Sequence, residues 1–291
     1  MDLDNQDRFA ELDSDGMLRH IDGLATQFHS AWRHAQSQPL PSRLDGIRQI
    51  VVSGMGGSAI GGDLLAAATA NRMHVPVTVV RGYELPAWVR GQETLVIASS
   101  FSGNTEETLS AYEQAKTNAT QIIGITTGGQ LAEQLASDGY TTWTFPGDIG
   151  HPRAAIGWSF GLLLGLASRA GWVEHLEAEV REATALLETQ QAHYTATTPV
   201  NQNPAKNQAR ALAGRMPVII GAGSFEPIAR RWKTQLNENS KIWSVWEPLP
   251  ELNHNVVVGI EYPEPLMPML GVIVIQSPQF DHPRVALRQT L

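Results

Sequence analysis

The sequence predicts an α/β chain of two αβα domains with parallel sheets, the second incomplete at its C-terminus. Three observations carry that expectation. Short β-branched runs alternate with stretches rich in Ala, Leu and Glu, the pattern of βαβ units covered on both faces of a sheet. The segment IVVSGMGGS at 50–58 is echoed by MPVIIGAGS at 216–224: a strand, a glycine turn, a serine, then a helix. Such internal similarity points to two halves of one architecture. The length, 291 residues, is enough for two domains at about 150 each.

Taken in order, residues 1–48 form an N-terminal helical segment. Leu18, Ile21, Leu24, Ala25, Phe28, Ala31 and Trp32 recur at helical spacing, which marks a surface helix seeking a partner. The first domain, 49–173, has strand signals at QIVVSG (49–54), VTVV (77–80), TLVIAS (94–99), QIIGIT (121–126) and TTWTF (141–145), and IGWSFGLLLGLASRAGWV closes it as a largely buried helix. Residues 174–215 connect: Glu174 to Gln191 is amphipathic, and HYTATTPVNQNPAKNQ is polar and turn-rich, hence a linker. The second domain, 216–291, offers MPVII, IWSVW and GVIVIQS before DHPRVALRQTL begins a helix. Set against the first domain, roughly two strands and their covering helices are expected to be absent.

Composition narrows the function. Lys plus Arg total 21 against 29 Asp plus Glu, a net charge of -8, so no basic surface is expected that would neutralise a polymer of phosphates, and nucleic acid is excluded as a partner. With zero cysteines there is no disulfide, thiolate metal site or Cys nucleophile. The acidic start MDLDNQDRFAELDSD is not a secretory signal. The most apolar stretches, Ala154 to Ser168 and Pro265 to Phe280, fall short of the ~20 residues of a membrane span. A soluble, cytoplasmic protein is expected. The nine histidines show no ligand spacing, so no metal is expected, and no cofactor.

Two loops could hold a phosphate. Gly54 to Asp63, GMGGSAIGGD, follows a strand and opens a helix, where glycines admit an anion close to backbone N–H groups and the helix dipole favours it. Gly54, Gly56 and Ala59 also fit a dinucleotide fingerprint, but the next strand ends Val79-Val80-Arg81 rather than on an acid, leaving only a weak NADP reading. Tight strand-to-helix packing is the plain alternative. The second loop, Ser99 to Thr108, decides the matter: Ser100, Ser102 and Thr105 set three hydroxyls around a glycine turn at a helix start. Capping by Ser102 or Thr105 accounts for one hydroxyl and does not call for three.

GMGGSAIGGD, SFSGNTEET, HPRAAIG and PELNHN, in this order, resemble the bifunctional phosphoglucose/phosphomannose isomerase family, built from two sugar isomerase (SIS) domains, over about residue 45 to the C-terminus. The resemblance implies that Gly57, Ser58, Ser100, Ser102 and Thr105 bind the sugar phosphate. It implies metal-free interconversion of glucose 6-phosphate and mannose 6-phosphate with fructose 6-phosphate through a cis-enediol, a step of glycolysis and gluconeogenesis. Glu238, in LNENSK, reads from its helix alone as a surface ion pair with Lys241, or as a base if partial burial raises its pKa. The resemblance makes it the proton-transfer group. His254, flanked by Asn253 and Asn255 that can fix its tautomer, is implied as the ring-opening acid/base, supplied to a site shared across a homodimer. Arg153, ahead of a helix start where a cation is unfavourable, would steady the enediolate. The family also carries a ring-opening lysine beyond the position of Leu291, a place that none of Lys116, Lys206, Lys233 and Lys241 takes. The competing reading is a sugar-phosphate-binding SIS regulatory module without turnover.

Overall fold

The computed structural model describes residues 2–290, which divide into two compact units: Asp7–Ala192, and the described residues of Met1–Gln6 with His193–Leu291. The first unit opens with three helices, α1 (Gln6–Leu12), α2 (Met17–Asp22) and α3 (Leu24–Ser37). Then come β1 (Gln49–Ser53), α4 (Gly56–Thr69), β2 (Val77–Val80), β3 (Thr94–Ser100), α5 (Glu106–Thr117), β4 (Gln121–Thr126), α6 (Gly129–Ser137), β5 (Thr141–Thr144), α7 (Ile156–Arg169) and α8 (Glu177–Tyr194). All five strands are parallel, in the order β2-β1-β3-β4-β5.

The central strands lie where the β-branched runs place them because a parallel sheet covered on both faces buries both sides of its inner strands, as all seven residues of β3 are buried. Alternate residues serve two cores. Ile50, Val52, Ile97 and Ile123 pack with α3 and α7, while Val51, Val96 and Ile122 pack with Tyr112 of α5 and Leu131 and Leu135 of α6. The partner that α3 seeks is α7. Gly157, Gly161 and Gly165 recur every fourth residue and form a groove. A Cβ at Gly161 would lie 2.7 Å from Cβ of Ala31, and one at Gly165 2.4 Å from Cβ of Ala35. Close approach lets Phe28 and Trp32 be buried beside the seam, each side chain contributing about 1.5–3 kcal/mol. The Trp32 indole nitrogen donates to Glu177 (2.6 Å).

The second unit contains α9 (Pro204–Leu212), β6 (Met216–Ala222), α10 (Glu226–Ser240), β7 (Val245–Leu249), β8 (Leu270–Val274) and α11 (Pro283–Arg288). Its sheet is parallel, in the order β7-β6-β8, so β6 holds the central place that β1 holds between β2 and β3. The echo between the two strand–turn–helix segments is therefore an echo of topology. Two local expectations are corrected. The expected linker contains α9, opened by Asn203, whose side chain accepts from the Lys206 amide at 3.1 Å, with Pro204 in the first turn. The strand expected at Ile242–Trp246 begins three residues later. Lys241, at φ 56, ends α10, the Ile242 amide turns back to the Leu236 carbonyl, and the Ser244 hydroxyl donates to the Lys233 carbonyl at 3.0 Å. Residues 2–6 are fastened to this unit: buried Lys206 donates to Asp4 (2.9 Å) and to the Ala196 carbonyl (2.7 Å). No helix among the described residues is long and apolar enough to cross a membrane.

Candidate active site

In the first sheet, β1 leads to β2 on one side while β3 lies on the other, so the strand order reverses between β1 and β3. Loops leaving such a pair diverge and open a crevice at the carboxyl ends of the strands, the general ligand position of open α/β sheets. Both phosphate-loop candidates leave these two strands. The cleft there is lined by Gly57, Ser58, Ser99, Phe101, Pro152 and Ser159.

The loop after β3 is held by its own hydroxyls. Buried Ser100 has its Oγ 2.9 Å from Thr105 Oγ1 and accepts from the Gly103 amide at 3.1 Å, while exposed Ser102 accepts from the Asn104 amide at 3.1 Å. Gly103, at φ 68, lies against the next loop, where a Cβ would fall 1.8 Å from the Gly128 carbonyl oxygen. Asn104 Oδ1 accepts from the Gln130 amide at 3.0 Å. Thr105 is the N-cap residue of α5, yet its side chain makes no capping bond. No described residue accepts from the amides of Glu106, Glu107 or Thr108, so they remain available for an anion together with the helix dipole. Capping is therefore not what Thr105 does here. Glu107 and Glu106 border this helix start, and their carboxylates push the Tyr83 phenol above its usual range.

The loop after β1 divides differently. A Cβ at Gly54 would meet the Ser99 carbonyl at 2.6 Å, and one at Gly57 the Pro152 carbonyl at 2.7 Å. Those glycines are required by packing whether or not an anion binds. Gly56, at φ 50 with open space beside it, and Ser58 flank the start of α4, which also lacks a side-chain cap. Arg81, the residue that a 2'-phosphate would need, is ion-paired with Asp63 of α4, which weakens the NADP reading further. The turn HPRAAIG packs on Gly57 and puts half-buried Arg153 in a short 3-10 turn, Pro152–Ala154, just ahead of α7.

The other two candidates belong to the second unit. Glu238 lies in the last turn of α10 and is exposed. The expected ion pair with Lys241 is replaced: the ammonium donates to the Glu238 backbone carbonyl at 2.5 Å. Two turns earlier, burial pulls Arg231 down to about 10, and the Glu238 carboxylate partly offsets that pull. His254 is exposed at the end of a 3-10 turn, Glu251–His254. Its neighbours do not orient it. Asn253 accepts from Arg288 (3.3 Å), while Asn255 donates to Glu251 (3.0 Å) and accepts from the Val256 amide (2.6 Å). At the glycine turn after β6, Glu226 accepts from the Gly223 amide, and burial raises its carboxyl. That turn thus already has an acceptor of its own, unlike the turns after β1 and β3. The paired use of Ser100 and Thr105 was signalled by their spacing, whereas Glu226 at a helix start reads from sequence only as dipole complement.

Two parallel sheets with the same central-strand arrangement, one bearing a hydroxyl-lined loop at its switch point, define an SIS-type α/β protein. Family models agree in matching an SIS domain at residues 44–137 and a bacterial phospho-glucose isomerase C-terminal SIS domain at 201–291. The chain is 39% identical over 276 residues to the bifunctional phosphoglucose/phosphomannose isomerase of Caldicellulosiruptor bescii, covering 94% of this chain and 80% of that one. With the enzyme of the same name from Aquifex aeolicus it shares 31%, covering 92% and 77%, and with that of Thermoplasma acidophilum 38%, covering 71% and 60%. The chain belongs to the bifunctional phosphoglucose/phosphomannose isomerase family. Among solved structures, the C-terminal domain of glucosamine-fructose-6-phosphate aminotransferase from Francisella tularensis matches with a TM-score of 0.67 at 16% identity, covering 95% of this chain and 80% of that one. Tagatose-6-phosphate ketose/aldose isomerase from Escherichia coli matches at 0.57 and 17%, covering 93% and 70%. At such identities the likeness is one of fold.

Proposed function

We propose that the chain interconverts glucose 6-phosphate and/or mannose 6-phosphate with fructose 6-phosphate by metal-free aldose–ketose isomerisation. The observation that carries this is the Ser100–Thr105 network at the strand-order reversal, with the first-turn amides of α5 uncapped beside it. Gly57, Ser58, Ser100, Ser102 and Thr105 hold the phosphate with neutral donors. Glu238 takes the proton from carbon 2 of the aldose and returns it to carbon 1, Arg153 steadies the charge on the enediolate oxygen, and His254 exchanges the proton that opens the ring. The roles of these residues rest on the family resemblance. So does a homodimer in which His254 serves the partner's site, while the division of the sequence at 48, 173 and 215 rests on the strand and helix patterning.

The exposed carboxylate of Glu238 is the one observation that favours the alternative, a sugar-phosphate-binding module without turnover. A coupled assay of fructose 6-phosphate conversion in the presence of a chelator separates the two. Turnover is expected, and Glu238→Gln is expected to lower kcat by about 10² to 10⁴ while sugar-phosphate binding persists. Binding without turnover in the unaltered protein refutes the isomerase reading and leaves the module.

A further inference from the structure

The turn that carries Arg153 is tied at both ends by residues of the N-terminal helical segment. On its far side the Gln27 amide donates to the Ala154 carbonyl at 3.0 Å and its oxygen accepts from the Trp158 amide at 3.2 Å. On its near side His151 Nε2 lies 3.1 Å from Asp15 Oδ2. Asp15 is itself in a fixed turn. Asp13 accepts from the amides of Met17 (2.6 Å) and Leu18 (2.8 Å), the Gly16 amide donates to the Asp13 carbonyl (3.1 Å), and Gly16 sits at φ 67. Between the two ties, the Ala154 amide donates to the His151 carbonyl at 2.9 Å, and Pro152 presses on Gly57 of the phosphate loop. Before His151, Pro146, Gly147, Asp148 and Gly150 are exposed, Gly150 is at φ 78, and the one core anchor is buried Ile149, whose carbonyl accepts from the His151 amide at 2.9 Å.

We propose that the Asp15–His151 pair positions Arg153, holding the His151–Ala154 turn so that the guanidinium meets the substrate in one place. This rests on the reading that Arg153 steadies the enediolate. The pair is too exposed, at 60% for the Asp15 side chain, to contribute much to global stability. Geometry is another matter, because misplacing a charge-stabilising group by a fraction of an ångström weakens it where charge develops. Asp15 and His151 are thus positioning residues that touch no substrate.

The test compares Asp15→Ala, His151→Ala, Asp15→Asn and Arg153→Ala, alone and combined, using fructose 6-phosphate. Asp15→Ala and His151→Ala are each expected to lower kcat about tenfold, with KM within twofold and an unchanged melting temperature. Asp15→Asn, which keeps an oxygen acceptor for His151, recovers most of the loss. In the Arg153→Ala background, Asp15→Ala has no further effect on kcat. Independently of turnover, Asp15→Ala is expected to speed amide hydrogen exchange in residues 148–155 at least fivefold. Unchanged exchange, a kcat loss that persists on top of Arg153→Ala, or a loss matched by lower melting temperature overturns the proposal. If Arg153→Ala lowers kcat but Asp15→Ala does not, the positioning role fails and the isomerase reading stands. If Arg153→Ala changes nothing, the assigned role of Arg153 fails and the proposal with it.

Discussion

Gly103→Ala tests the hydroxyl loop after β3, the proposed phosphate site, most directly. Gly103 sits at φ 68, where an alanine costs about 1 kcal/mol. Its Cβ would also lie 1.8 Å from the Gly128 carbonyl oxygen and 2.9 Å from Thr126 Oγ1, so one of the two loops has to move by more than about 1 Å to restore ordinary contact. The Gly128 carbonyl accepts from Thr126 Oγ1 at 2.9 Å, and the Gly103 carbonyl accepts from the Leu131 amide at 2.9 Å. Moving either loop strains one of these bonds, each contributing about 1 kcal/mol. The total is about 2 kcal/mol. Gly91→Ala supplies the control, because Gly91 has φ 77 and nothing within 4 Å of its Cβ, so only the backbone cost of about 1 kcal/mol remains. Urea denaturation followed by circular dichroism gives the stabilities, and titration calorimetry with fructose 6-phosphate gives the affinity. If the loop rather than its neighbour yields, part of the cost appears as weaker binding, at about 1.4 kcal/mol per tenfold in Kd. A Gly103→Ala protein that matches Gly91→Ala in stability and the unaltered protein in affinity refutes the reasoning.

Ser100→Ala removes the hydroxyl shared by Thr105 Oγ1 and the Gly103 amide, and is expected to cost about 1–3 kcal/mol in unfolding free energy and to weaken sugar-phosphate binding; calorimetry beside denaturation reads both. Gly165→Ala distinguishes propensity from packing: helix propensity alone predicts a gain of about 1 kcal/mol, whereas the 2.4 Å approach to Ala35 predicts a loss of about 1–3 kcal/mol, so the sign of the change in thermal unfolding decides. The hydrogen bond from Lys206, then that from the Val200 amide, holds the Asp4 carboxyl below its ordinary value of 3.8. Its stabilising contribution is therefore full above that value and is lost as pH falls through the lower folded value, and Asp4→Asn is expected to remove this part of the acid dependence in denaturation midpoints measured from about pH 6 to pH 2.

The central strands β1, β3 and β4 were legible because each is a buried parallel strand, and burial on both faces writes a continuous β-branched run into the sequence. The hydroxyl loop was legible for a similar reason, since three hydroxyls around one glycine exceed what capping needs. Other features depend on distance in three dimensions. Nothing local in IWSVW says that Ile242 to Ser244 wrap back onto α10, because the bond from Ser244 to the Lys233 carbonyl spans eleven positions. The asparagines beside His254 look like orienting groups until their partners, Glu251 and Arg288, are known. By contrast α9 had a readable signal, Asn203 followed by Pro204, hidden within a polar stretch. The glycines after β1 show the opposite difficulty, since one sequence pattern serves packing at Gly54 and Gly57 and an open loop at Gly56.

The glycine groove of α7 bears on how the first lobe can be cut from the rest. The SIS match spans 44–137, and that stretch holds the first four strands of the sheet. It leaves behind β5 and both helices of the seam, stripping cover from Ile50, Val52, Ile97 and Ile123. A fragment trimmed to those limits would present a broad oily flank to water and clump. One running from Asp7 to Ala192 keeps β5 and both seam helices and so carries its own lining.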